Sequence, residues 1–324
     1  MDIKIGKIEH YKFYLDKAFR RGKTKLDITK VKDKSWTRGE KYQYLEVVRI
    51  SVIRDSLLTD MNKILNIMPH YSELDDFYKE IFPCFVDLDN YKLCLGNIKW
   101  LVKRVNALYG NHQNLIKKSD KADEIISIRN RFIARLSSIF KQVEGSFYSL
   151  DQDRRKIKDI PVVKTSLYTV AIAGFPNVGK TTLLSKITTS TPEINSYAFT
   201  TKGLMIGYLK KEKEKIKIQM IDTPGTLNRI DKMNNIEKMA HLCMRDVSDI
   251  IVYVFDLTET YPIEDQIKLY KKILELKKEL IVYFSKSDLL DVKKIDAFIK
   301  THKIKGTFDL KELEENIIKC YNSK

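Results

Sequence analysis

The chain has 324 residues, enough for two domains that each bury a core, and its 43% apolar and 31% charged residues are those of a globular fold, not of a disordered chain. No run of about 18 uncharged apolar residues occurs, and the N-terminus MDIKIGKIEHYKFYLDKAFR has no apolar signal core. The composition thus excludes a hydropathy-defined membrane helix, and a cytoplasmic monomer is expected.

The net charge is +16 and uneven: residues 1–160 hold 32 Lys and Arg against 22 Asp and Glu, residues 161–324 hold 27 against 21. The densest stretch runs from Lys12 to Lys41, including Lys23, Lys25 and Lys30, with only Asp16, Asp27, Asp33 and Glu40 opposed to it. Such a region attracts phosphate backbones and points to a nucleic-acid partner, unless it only reflects a lysine-rich proteome. Cys84, Cys94, Cys243 and Cys320 form no Cys-x-x-Cys pair and share no ligand spacing with the five histidines, so reduced thiols and no structural metal are expected.

Up to about residue 155 the apolar positions recur at helical spacing. EVVRISVIRDSLLTDMNKILNIM and LGNIKWLVKRVNALYGNHQNLIKK each read as an amphipathic helix, separated by PHYSELDD and polar segments. In KADEIISIRNRFIARLSSIFKQVEGSF, the set Ile125, Ile128, Phe132, Leu136, Ile139 and Val143 lies on one face, which predicts a single long helix. Three or four such helices, each with one stripe to bury, predict an antiparallel bundle over residues 1–160.

After DRRKIKDIPVV the period changes. The short apolar runs LYTVAIAG, GLMIGYLK, KIKIQMID, IIVYVFD and LIVYFSK alternate with helical stretches, predicting a mostly parallel sheet covered on both faces over residues 161–324. Only KEKEK separates the second and third runs, too short for a crossover helix, so they are expected to pair as an antiparallel hairpin at the sheet edge. The predicted class is an α/β P-loop domain of Ras-like type, preceded by an all-α bundle.

The first strand runs into GFPNVGKTT, giving Gly174-x-x-x-x-Gly179-Lys180-Thr181 before a helical segment. In this pattern the loop of Gly174, Phe175, Pro176, Asn177, Val178 and Gly179 wraps phosphates with the backbone N–H groups of all but Pro176. Lys180 reaches the terminal phosphates, the Thr181 hydroxyl ligates Mg²⁺, and Thr182 follows at the helix start. Asp222 ends the third run, where a carboxylate holds Mg²⁺ through water, and Gly225 supplies an N–H for a γ-phosphate. Between them lies a hydroxyl pair, Thr200 and Thr201; a switch loop brings one of them to the metal, and Thr201 is favoured. Lys180, Thr201 and Gly225 are therefore the candidate catalytic group, although Thr226 stands where many such enzymes carry a water-orienting glutamine.

Ser285-Lys286-x-Asp288 follows the fifth run. Asp288 accepts from guanine N1–H and the amino group, which adenine does not present in that arrangement, and the Lys286 stem covers the base. An ATP-dependent kinase is disfavoured on the same ground. Ser285, in place of the usual asparagine, loses an amide contact. Near the C-terminus, Thr301, His302 and Lys303 are placed beside the base by the succession of strand, loop and helix.

Together GFPNVGKTTLL, YAFTTKGLMIG, IDTPG, NNIEKMAHLCMRD and IIVYVFDLTETYPIEDQ resemble the Nog subgroup of Obg-related GTPases, and DDFYKEI and DNYKLCLGNI are similar to that family's helical N-terminal domain. The resemblance covers nearly the whole chain, and the absence of the long extension of eukaryotic members suggests an archaeal-type short form. It implies a GTPase that binds GTP and GDP with Mg²⁺ and acts in assembly of the large ribosomal subunit, docking on its rRNA and proteins. Obg-type enzymes lack the catalytic glutamine, as here at Thr226. Asn177 either holds a K⁺ ion where other GTPases use an arginine finger, or only shapes the loop. A nucleotide-gated RNA-binding scaffold, in which hydrolysis is incidental, is the alternative reading.

Overall fold

The computed structural model describes residues 6–29, 36–160, 162–188, 193–194, 204–211, 215–223, 235–258, 261–289 and 292–324. They form two compact units: one contains the segments up to Glu73 and Phe85–Lys158, the other Leu74–Cys84 together with Asp159–Lys324.

The N-terminal half carries six helices, α1 (Tyr11–Ile28), α2 (Arg38–Ile67), α3 (Asp76–Phe85), α4 (Leu88–Lys118), α5 (Ala122–Gln142) and α6 (Glu144–Lys158). All but α3 build the first unit. Cross-helix bonds give their directions. Lys17 and Arg21 of α1 bond Asp60 and Ser56 of α2, while Asn90 and Asn97 of α4 bond Ser149 and Ser146 of α6, so each pair is antiparallel. Thr37 and Glu40 form a reciprocal capping box at the start of α2, and Asp87 accepts from two amides at the start of α4. The core is drawn from Ile50, Ile53 and Leu57, from Tyr91, Ile98 and Leu101, and from Phe132, Leu136 and Phe140, all fully buried. At about 1.5–3 kcal/mol for each such side chain, this burial outweighs the helices' own propensities.

The helix expected to run through residues 121–147 is two. Val143 leaves helical geometry (φ −112°, ψ 20°), ending α5, and α6 starts at Glu144. The break redirects the apolar stripe so that Phe140 and Phe147 stack with ring centroids 6.2 Å apart.

The second unit centres on a six-stranded sheet. Its strands are β1 (Thr169–Ala173), β2 (Glu193–Ile194), β3 (Met205–Lys211), β4 (Ile216–Asp222), β5 (Ile250–Asp256) and β6 (Glu279–Ser285), in the order β2-β3-β4-β1-β5-β6. β4, β1, β5 and β6 are parallel, and β3 is antiparallel to β4 as the short connection requires. The two-residue β2 pairs antiparallel outside β3, so the hairpin is one strand in from the edge. β1 and β5 are buried along their whole length, in keeping with their unbroken apolar runs. The helices are α7 (Lys180–Ile187), α8 (Asn235–Leu242), α9 (Ile263–Leu274), α10 (Val292–His302) and α11 (Leu310–Asn322), with a π-helical turn at Cys243–Val247 continuing α8.

α3 packs within this second unit. Phe77, Tyr78, Ile81 and Phe82 are buried, and the Tyr78 hydroxyl donates to the Val163 carbonyl (2.9 Å) and accepts from the Val163 amide (2.8 Å). Thr165 donates to Asp75, and Arg245 of the π-helical turn bonds both Glu80 and Asp246. The Arg245 guanidinium is held above its ordinary pKa by these two carboxylates.

Candidate functional site

The site forms at the carboxyl ends of the parallel strands, where open α/β sheets place ligands. β1 ends at Ala173 and turns into the loop through Gly174, at φ +148°, where a Cβ would lie 2.7 Å from the Val254 carbonyl oxygen. Only glycine fits there. Gly179, at φ +92°, caps α7. Asn177 is exposed and left-handed (φ 59°), a conformation asparagine tolerates better than most residues, which accords with a loop-shaping role. Val178 and Phe175 are buried, Phe175 against the Tyr261 ring, while Pro176 is half-buried and Thr182 exposed.

Lys180 is buried with its Nζ donating to the Phe175 carbonyl at 2.6 Å, folded back onto the loop it serves. Across the sheet, Ile172 pairs with Asp222, which brings the end of β4 beside the loop. The Thr181 hydroxyl donates to Asp222 Oδ2 at 2.6 Å. Asp222 Oδ1 is buried and has no hydrogen-bond partner among the described residues. Burial raises the Asp222 pKa above the ordinary carboxylate value, and the Thr181 hydrogen bond and nearby Lys180 oppose the shift only partly. Thr223 fixes the strand end by donating its hydroxyl and amide to the Ile172 carbonyl.

On the other side of β1, the Ser285 hydroxyl donates to the Phe255 carbonyl at 3.0 Å. A Cβ on Gly179 would lie 3.7 Å from Ser285 Cβ, so this residue abuts the phosphate loop even without the longer amide of asparagine. Lys286 is left-handed (φ 53°) and its Nζ donates to Asp256 Oδ2 at 2.6 Å. Asp288 is exposed on the short turn Ser287–Leu289.

The sequence reading missed Asp256. It is fully buried at the end of β5, and its Oδ1 also accepts from the hydroxyl and amide of Thr258. Burial pushes its pKa up, but Lys286 and Thr258 outweigh that and hold it below the ordinary range. Gln266 of α9, also buried, accepts from the Asp256 amide and donates to its carbonyl, bracing the strand end. The signal was present, because IIVYVFD ends in aspartate at its carboxyl end just as KIKIQMID does.

Thr301 and His302 close α10 and Lys303 follows it, all three exposed. α10 starts just past the Asp288 turn, so its last residues lie roughly 15 Å along the helix from that end. The segment that returns to β6 is farther on, where Thr307 bridges Tyr283 in parallel and exchanges hydrogen bonds with Val282 and Phe284. Thr200, Thr201, Gly225 and Thr226 lie outside the described residues. No helix among the described residues is long and apolar enough to cross a membrane.

Residues 169–286 match the family described as 50S ribosome-binding GTPase, and residues 6–164 match the NOG1 N-terminal helical domain. A protein of Methanocaldococcus jannaschii described as uncharacterized is 35% identical over 283 residues, covering 86% of this chain and 78% of that one. Nucleolar GTP-binding protein 1 of Drosophila melanogaster is 29% identical over 235 residues, covering 71% of this chain and 36% of its own length. The protein of that name from Saccharomyces cerevisiae is 26% identical over 287 residues, 85% of this chain and 44% of its own. The chain thus spans less than half the length of these two nucleolar relatives. Among solved structures, the cytosolic domain of the T. maritima FeoB iron transporter matches at a TM-score of 0.39 and 27% identity, covering 48% of this chain and 64% of that one.

Proposed function

Since the chain belongs to the Nog subgroup of Obg-related GTPases, we propose that it binds GTP and GDP, hydrolyses GTP slowly, and acts as a switch in assembly of the large ribosomal subunit. The observation that carries this reading is the Thr181–Asp222 pair beside the phosphate loop. A buried carboxylate with one oxygen held by a hydroxyl and the other without a partner among the described residues is suited to a hard cation. Thr181 and Asp222, joined by Thr201, hold Mg²⁺ in this proposal. The ion, when bound with GTP, neutralises charge on the β and γ phosphates.

The chain's own residues do the rest. Gly174–Gly179 offer backbone amides to the phosphates, and Lys180 exchanges the Phe175 carbonyl for phosphate oxygens. Gly225 senses the γ-phosphate, Asp288 reads guanine, and the Lys286 stem covers the base while Asp256 holds its ammonium. The parallel bridge at Thr307 favours the residues after it, more than Thr301, His302 and Lys303, for the loop on the far side of the base. Because Thr226 stands in the sequence where many such enzymes carry a water-orienting glutamine, turnover is slow until a docked partner, or K⁺ at Asn177, supplies the missing stabilisation. In this reading the basic helices of the first unit dock on RNA, while the second unit carries the nucleotide site.

The test is equilibrium binding of labelled GTP with GDP, GTP and ATP as competitors, followed by single-turnover hydrolysis with and without large ribosomal subunits, in potassium and in sodium. Guanine-selective binding and stimulation by subunits are expected. Equal competition by ATP would sink the guanine reading, and binding without any stimulation would leave the nucleotide-gated scaffold in its place.

A further inference from the structure

The outward face of α4 carries an arrangement that the sequence reading did not single out. The helix has six basic residues, Lys92, Lys99, Lys103, Arg104, Lys117 and Lys118, against one acidic residue, Asp89. At 100° per residue, Lys92, Leu93, Lys99, Trp100, Lys103 and Arg104 fall on one face, opposite the buried Tyr91, Ile98, Leu101 and Val105. Among the described residues, no carboxylate forms an ion pair with any of the four cations on that face. Lys92 lies over the Tyr71 ring and Arg104 over Trp100, at 5.0 and 5.8 Å from the ring centroids. Two large apolar side chains sit among them, Leu93 at 62% and Trp100 at 36% exposure, although the helix buries its opposite side well. Gly96, between them in the helix, has nothing within 4 Å of where its Cβ would be, so the face is open and low there.

The charged helix nearest the N-terminus differs. On α1, Lys17 is held by Asp60 at 2.6 Å and Arg21 by Ser56, and Asp16 and Asp27 interrupt its charge. A solvated cationic face needs neither a part-exposed tryptophan nor an exposed leucine. Uncompensated cations spaced over about 18 Å of helix, with an aromatic ring among them, match a chain of phosphates whose unstacked bases can lie on the ring. A duplex keeps its bases stacked and offers nothing to Trp100, so the chemistry selects a single strand or loop.

We propose that this face of α4 is a docking surface for single-stranded RNA, with Trp100 as a stacking platform and Lys99, Lys103 and Arg104 tracking the backbone. The proposal rests on the reading of the protein as an RNA-associated GTPase and names the surface through which that association is made.

The test uses the full chain loaded with GTP and a fluorescently labelled short oligouridine, alone and as a duplex with oligoadenosine, measured by anisotropy across a salt series. The variants are the pair Lys99→Glu and Lys103→Glu, Trp100→Ala, Trp100→Phe, and on α1 the pair Lys23→Glu and Lys25→Glu. Expected are preference for the single strand, a loss of about tenfold or more in the α4 charge reversal, and a salt slope shallower by about 1.4 for two removed contacts. Trp100→Ala should lose about tenfold and Trp100→Phe should retain most of the affinity, because a ring still stacks. Unchanged far-UV circular dichroism and basal GTP turnover would show that these exposed substitutions leave the fold intact.

Wild-type affinity in the α4 variants, with loss only in the α1 pair, would overturn the α4 surface and leave RNA association standing. Failure of the wild-type protein to bind any RNA would overturn both. Binding to ribosomal subunits that depends on Trp100 without affinity for RNA would make the partner a protein and overturn the proposal.

Discussion

Asp256 was not among the residues the sequence pointed to, and its removal gives a sharp test of the site. Asp256→Asn keeps the shape of the side chain and an oxygen for Thr258, but takes the charge from Lys286. Removing one partner of a buried pair costs about 3–5 kcal/mol when the other is left without water. Asp256 is fully buried, but the Lys286 side chain is 31% exposed and recovers part of its hydration, so the expected cost is lower, about 1.5–3 kcal/mol. Freed from the carboxylate, the Lys286 stem regains rotamer freedom of up to about 1.5–2 kcal/mol, which nucleotide binding must then remove. GDP affinity should therefore fall by about tenfold. The pH dependence has a definite sign. The folded-state pKa of Asp256 is depressed, so its stabilisation is present above the unfolded carboxylate value of about 3.9 and is lost as pH falls through the lower folded value. The stability gap between wild type and Asp256→Asn should be full near neutrality and close in acid, measured by denaturant unfolding across pH. A double-mutant cycle with Lys286→Met isolates the pair. Coupling below about 0.5 kcal/mol in stability, with GDP affinity unchanged, would refute the reasoning.

Asp222→Asn should abolish Mg²⁺-dependent GTP binding. The same change should raise the melting temperature of the nucleotide-free protein at neutral pH, because burial penalises the charged carboxylate and the raised pKa means its charged form opposes folding as pH rises. Tyr78→Phe leaves the Val163 amide and carbonyl without their shared hydroxyl, at a cost of about 1–3 kcal/mol read from urea unfolding. Gly39→Ala drives a Cβ into the Asp120 carbonyl oxygen, so the start of α2 and the link between α4 and α5 must separate, and a loss of about 2 kcal/mol or more is expected by thermal melting.

The sheet was legible because its strands are unbroken apolar runs bounded by short polar segments, and the hairpin because five charged residues leave no room for a helix. Gly174, Lys180, Thr181 and Asp222 were legible because the phosphate loop is a local motif whose spacing is fixed by the turn from β1 to α7. Asp256 was not, since its role depends on β5 and β6 lying side by side, with Asp256 and Ser285 in register 29 positions apart in the chain. The α5–α6 break was hidden because the apolar spacing continues across Val143 while the backbone does not. α3 gave little periodicity over ten residues, with Pro83 near its end, and nothing local says that its Tyr78 bonds Val163, 85 positions later.

That excursion of α3 has a consequence for how the molecule can be made and cut. Among the described residues the chain leaves the helical unit after Glu73, enters the nucleotide-site unit for Leu74–Cys84, returns, and leaves again after Lys158, so three covalent crossings join the two there. During synthesis α3 emerges before Val163 and Arg245 exist, so the Tyr78 hydroxyl and the Glu80 carboxylate wait for partners that lie far later in the chain. A fragment ending at residue 160 would keep Tyr78 and Glu80 without Val163 and Arg245, and one starting at 161 would lose these bonds from the other side. No single scissile bond therefore separates the two units.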